Sequence, residues 1–254
     1  MDSNAVRADA EREPSWVFLH QGTPEQFIDA LCADVLEHPA VHHPYLKKLA
    51  SNELPDIRGA IRDYCHQYYF YSAEFTSYLE AVIGGLQSAI HRDIVRRNLQ
   101  EEKGHDPANP EGIPHNELFQ RFRLAAGVTP EYDAATPPST TVTVWRDLFL
   151  QKCMSRQPGV GVAAIGIGTE MIVSTIYNYL YEAVIHHSDM KPEDYLFLEL
   201  HLDCDDEHAE DLRQISLELA EDHGCREALR FGALSSLNLR NAFWDVMLAR
   251  AVAR

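Results

Sequence analysis

The stretch Glu199-Leu-His201-Leu-Asp-Cys-Asp205-Asp-Glu-His208 carries His201, Asp205 and His208 at i, i+4 and i+7. Side chains at that spacing leave one face of a helix. Two imidazoles and a carboxylate on one face form a donor set for a first-row metal ion. The run is also crowded with acids: Asp203, Asp205, Asp206 and Glu207. A nearby cation would relieve their mutual repulsion. Read alone, the stretch is equally a solvated acidic face that carries histidines, so the case depends on what stands upstream.

The next informative segment is residues 159–177, an apolar, glycine-rich run in which Glu170 is the one acidic or basic residue. A carboxylate there is buried, and a buried charge needs a partner. A metal ion is one solution; a protonated or peripheral glutamate is the other. Gly161, Gly166 and Gly168 read as sites of close helix packing. They do not form a dinucleotide fingerprint, because no strand precedes them and the third glycine is missing.

Two weaker features lie further upstream. Glu101-Glu102 closes one helix and His115 opens the next, so a glutamate and a histidine could meet across the loop. Adjacent helix positions point apart, so one glutamate of the pair is expected inside. Glu74 lies among Tyr68, Phe75 and Tyr78, as a further ligand or as the partner of a tyrosine. Four helices would then present carboxylate or imidazole inward, the general recipe for a carboxylate-bridged dimetal site in a helical bundle. The set counts three Glu, one Asp and three His, without cysteine. Such donors suit iron, or else manganese, better than zinc.

Helical periodicity runs through the rest of the chain. Helices are expected over about 24–37, with Thr23 as cap and Pro24 at its first position, and over 43–50, 55–86 and 88–103. Further helices follow over 115–126, 145–155, 158–187, 193–223 and 226–253, the last pair separated by Gly224. The loops are 105–114 and 128–139, and the alternation in 140–144 reads as a loop entering a helix. An all-α domain of seven or so helices results, over residues 15–254, preceded by a disordered polar arm, 1–14.

Bulk composition limits the function. The 254 residues are 45% hydrophobic, enough for one sizeable core. A net charge of -17 argues against nucleic acid as a partner. No uninterrupted apolar run approaches the roughly 20 residues that span a bilayer, so no membrane partner is expected. The five cysteines form no CxxC pair, which points to a reducing, cytoplasmic setting.

In order along the chain, Tyr68-Tyr69, Asn98 to Gly104, His115 with Leu118-Phe119, Glu170, and His201/Asp205/His208 resemble the heme-oxygenase-like diiron oxidases and oxygenases. That family shares a seven-helix fold with thiaminase II, pyrroloquinoline-quinone synthase and the CADD proteins. The resemblance covers about residues 55–211. It implies a heme-oxygenase-like bundle with two iron ions held by Glu101, His115, Glu170, His201, Asp205 and His208. Glu170 would bridge the ions, and Glu170 and Glu101 would be the catalytic carboxylates. Glu74 matches a position that is a ligand in only some members. The implied activity is dioxygen-dependent oxidation of a small molecule, amino-acid-derived by preference, through N-oxygenation, desaturation or C–C cleavage in a biosynthetic pathway. Tyr68, Phe75 and Tyr78 would contact that substrate, and an external donor would supply electrons. The fold relatives are often dimers, which sets a homodimer as an expectation. Two other readings compete: a metal-independent thiaminase-like hydrolase using Cys65 or Cys153, and a non-catalytic metal-binding interaction protein.

Overall fold

A computed structural model of the protein describes residues 12–105, 112–203 and 205–253, with only the backbone described at 203 and 205–207. Among these residues the secondary structure is entirely helical: α1 (Pro24–Leu36), α2 (Pro44–Ala50), α3 (Ile57–Ser72), α4 (Phe75–Gly85), α5 (Ala89–Glu102), α6 (His115–Ala125), α7 (Pro130–Ala135), α8 (Thr140–Cys153), α9 (Val160–Ile165), α10 (Met171–His187), α11 (Leu196–Asp203), α12 (Asp205–Leu219) and α13 (His223–Val252). The arm expected at 1–14 lies largely outside the described residues. Arg12 is described, and its guanidinium pairs with Asp34 of α1 and with Glu37, the C-cap of that helix.

Helix starts follow local chemistry. Thr23 and Gln26 form a reciprocal capping box with Pro24 in the first turn of α1. Ser88 caps α5 and Asp56 caps α3. Gly127, at φ +87°, follows the C-cap of α6 in the left-handed region.

The bundle has more helices than the seven expected, for identifiable reasons. The 55–86 segment breaks at Ala73-Glu74, where the backbone leaves helical geometry (ψ 6° at Glu74), giving α3 and α4. The loop 128–139 holds α7, capped by Thr129. The alternating residues 140–144 are helical, because Ser139 caps α8 and Val142 and Trp145 bury one face at i, i+3 spacing. Gly224 does not separate the last helices; it lies in the first turn of α13 and donates to the Asp222 cap.

The core helix is Val160–His187, formed by α9, a π-turn at Gly166–Glu170, and α10. It is long and apolar enough to cross a membrane, contrary to the expectation from the sequence, because Glu170 and Glu182 are the only acidic residues along it and it holds no lysine or arginine. Within the protein 83% of its most apolar window is buried, so its hydrophobicity serves the core. Gly166 and Gly168 let α12 and α13 approach this helix. A Cβ at Gly166 would lie 2.5 Å from the Cβ of Leu212, and one at Gly168 would lie 2.2 Å from Ser236 Oγ. The π-turn sits at that contact and ends on Glu170. Single π-turns inside helices gather at functional sites, where they re-aim a side chain.

Candidate metal centre

The end of α5 and the start of α6 meet the faces of α11, α12 and the π-turn. Glu102, His115 and His201 each offer a donor atom there, all within 4.8 Å of one another. A first-row ion with bonds of about 2.1 Å spaces its donors roughly 3–4 Å apart, so the three fit one ion. His115 Nδ1 lies 3.2 Å from Glu102 Oε1. His201 Nδ1 lies 2.7 Å from the carbonyl of Phe197. A carbonyl only accepts, so Nδ1 carries the proton and Nε2 keeps its lone pair for the cluster.

A second pair stands beside the first. His208 Nε2 lies 2.6 Å from Glu101 Oε2. The sequence assigned one glutamate of Glu101-Glu102 to the interior; the structure brings both to the centre. Successive side chains on a helix diverge by about 100°. At the last turn of α5 that divergence points Glu102 to α6 and α11 and Glu101 to α12. The face argument, which admits one of the two, does not hold at a helix end, where partners flank the terminus on both sides.

Glu170 lies between the pairs. It is 4% exposed and accepts a hydrogen bond from Asn98 Nδ2 at 3.2 Å. Its electrostatic neighbours come from both: His208 on one side, Glu102 and His115 on the other. Burial pushes the Glu170 carboxyl up, and His208 partly offsets this. Burial opposes charge on His208 too, but Glu170 and Glu101 outweigh it and raise its pKa. Burial also works to raise Glu102, yet His115, His201 and His208 hold it below the usual carboxylate range. His201 is pushed down to about 4, by burial and then by His115, and so stays neutral at ordinary pH. The counter-charges shown for Glu101, Glu102 and Glu170 are thus histidines. Three carboxylates gathered around neutral or shared imidazoles suit a bound divalent cation.

The other expected site residues are placed less uniformly. The side chain of Asp205 lies outside the described residues. Glu74 is exposed at the α3–α4 break and accepts from Ser77 Oγ at 3.1 Å, away from the cluster. Tyr68 and Phe75 line a cavity that opens onto Glu102, His115, Glu170 and His201. Tyr78 does not line it; the ring is fully buried and its hydroxyl donates to the Tyr71 carbonyl at 3.2 Å. Asn98, part of the motif quoted from the sequence but given no role there, orients Glu170. Its placement one helical turn before Glu102 was the available signal.

Residues 62–241, well over half of the chain, match the family described as iron-containing redox enzymes. The chain belongs to this family. Its fold is heme-oxygenase-like. A TenA homolog from Pseudomonas syringae pv. tomato shares the fold with TM-score 0.72 at 14% identity, over 91% of this chain and 96% of that one. A CADD-like protein of unknown function from Nostoc punctiforme does so at 0.69 and 17%, over 89% and 97%. In sequence, a 4-aminobenzoate synthase of Chlamydia muridarum is 25% identical over 197 residues, 77% of this chain and 80% of that protein. As an iron-containing redox enzyme, the protein is an oxidoreductase, and the cluster of Glu102, His115 and His201 is a site with the chemistry to hold iron.

Proposed function

We propose that the protein is a two-iron, dioxygen-dependent oxidase or oxygenase acting on a small, amino-acid-derived molecule in a biosynthetic route. The observation that carries the reading is the position of Glu170, buried between a Glu102–His115–His201 group and a Glu101–His208 pair. One ion would be held by Glu102, His115 and His201. The other would be held by Glu101 and His208, joined by Asp205 on the spacing of the sequence. Glu170 would be shared. When bound, the ions would supply the electrons and Lewis acidity that activate dioxygen.

The protein residues perform the rest. Asn98 fixes the orientation of the Glu170 carboxylate through its amide donor. The Phe197 carbonyl fixes the tautomer of His201. Phe197 and Tyr177 pack their rings 4.2 and 5.3 Å from the His201 ring and keep bulk water from that side. Tyr68, Phe75 and Phe119 provide an apolar wall for the substrate. Relatedness to a 4-aminobenzoate synthase supports a biosynthetic role.

Of the competing readings, the cysteine-dependent hydrolase is disfavoured by burial. Cys65 and Cys153 are both about 1% exposed or less, and burial pushes both thiols up, away from the thiolate. The test is anaerobic loading with Fe(II), metal analysis, then exposure to oxygen across a panel of amino acids and amines. Iron-dependent oxygen uptake that one substrate accelerates is expected. Less than about half an equivalent of iron or manganese after loading contradicts the reading.

A further inference from the structure

Helix α13 buries a stripe made by Ala233, Leu237, Phe243, Trp244 and Met247, and Arg240 falls on that stripe at 1% exposure. Its guanidinium carbon lies 5.1 Å from the centre of the Trp145 ring and 5.8 Å from that of Tyr71. Among the described residues, neither terminal nitrogen has a hydrogen-bond acceptor. A buried guanidinium is stable only when its charge is answered, and ring faces answer it in part. The phenols of Tyr68, Tyr71 and Tyr177 stand around the guanidinium, Tyr68 as a hydrogen-bond partner.

All three tyrosines line the cavity that opens onto Glu170. The hydroxyls of Tyr68 and Tyr177 lie 3.1 Å apart. A positive charge behind these rings draws the phenol oxygens towards it and turns O–H bonds outward. The remaining ionisable groups lining the cavity are Glu102, His115, Glu170 and His201, which belong to the metal centre. Arg240 is therefore the cation placed to answer an anionic substrate group at the end lined by tyrosines.

We infer that the tyrosine end of the cavity is a carboxylate-binding subsite, with Arg240 as the positioning residue that supplies the charge and Tyr68 and Tyr177 as the hydroxyl groups that meet the ligand. The inference rests on the proposed reading of the cavity as the substrate site. It specifies the substrate as a carboxylate-bearing molecule whose oxidisable group points to Glu170.

The test compares binding of 3-phenylpropionate and its neutral amide, 3-phenylpropanamide, to the full chain by calorimetry. It is run on wild type, R240M and R240K, each iron-loaded under argon and each metal-free, with circular dichroism on every sample. Wild type is expected to prefer the carboxylate. R240M loses about tenfold of that preference, as expected for removing a unit charge one ring layer behind the ligand in a poorly screened interior. R240K retains most of it. Direct binding of carboxylate to iron is common to all variants and cancels when their carboxylate-to-amide ratios are compared, and it is absent from the metal-free samples. An unchanged ratio in folded R240M overturns the inference. So does a wild type without carboxylate preference in both metal states, which decides the matter even if R240M does not fold. Failure to take up iron would remove the two-iron reading, while the ratio in metal-free protein still reports on Arg240.

Discussion

The two halves of the proposed centre differ in how the chain holds them. Glu102, His115 and His201 come from three helices, and their side chains are nearly sealed, Glu102 being 11% exposed. Glu101 faces His208 at the outer edge, with a side chain 29% exposed. The inner group is fixed by packing: His201 is tied to the Phe197 carbonyl and rests against Phe197, Tyr177 and His115. The outer pair is held mainly by its own charges. A ligand set by packing keeps its geometry whether or not its partner is present, whereas one set by charge depends on the other ligands.

Glu170 joins the halves, so its loss has the largest expected effect. Glu170→Ala should abolish paired iron binding while helical content survives, checked by metal analysis and circular dichroism. Retention of both irons would remove the shared-ligand assignment. Gly168→Ala attacks the same residue through the backbone. The new methyl would sit 2.2 Å from Ser236 Oγ and 2.9 Å from the Ala233 carbonyl, against a packed α13. A loss of about 1–3 kcal/mol is expected, read as a lower melting temperature and weaker metal retention. Asn98→Ala removes the amide that orients Glu170 and should weaken iron affinity by roughly tenfold or more with little change in melting temperature. Comparing His201→Ala with His208→Ala in a chelator-competition assay separates the halves. The outer variant should keep the inner ion, and the reverse order would contradict the burial argument. Glu74→Ala should do least: unchanged iron stoichiometry, and stability within about 0.5 kcal/mol, as for an exposed side chain.

How much of this was legible in the sequence varied with the kind of signal. His201 and His208, spaced along one helix, and Glu170, alone in an apolar run, carry their meaning locally, and the structure brings them to one place. The glycines at 166 and 168 were legible as close packing for the same reason. The π-turn was not, since it arises from how α9 and α10 pack against α12 and α13. Between Glu101 and Glu102 the sequence admitted only one, because a rule for helix faces does not hold at a terminus where both turn inward. Glu74 and Tyr78 looked equivalent to Tyr68 in an aromatic run. The break at Ala73-Glu74 turns Glu74 to the surface and leaves Tyr78 in the core. Arg240 was overlooked, yet it is the cation on a stripe of apolar residues three to four apart, which a periodicity count along α13 would have exposed.

The most direct test of the centre is the iron content of three chains loaded anaerobically with Fe(II): wild type, Glu101→Ala and Glu102→Ala. About two ions per wild-type chain and about one in each variant are expected, because each glutamate would serve its own half around Glu170. One variant that keeps the full wild-type content would show that its glutamate is not a ligand and would contradict the paired arrangement.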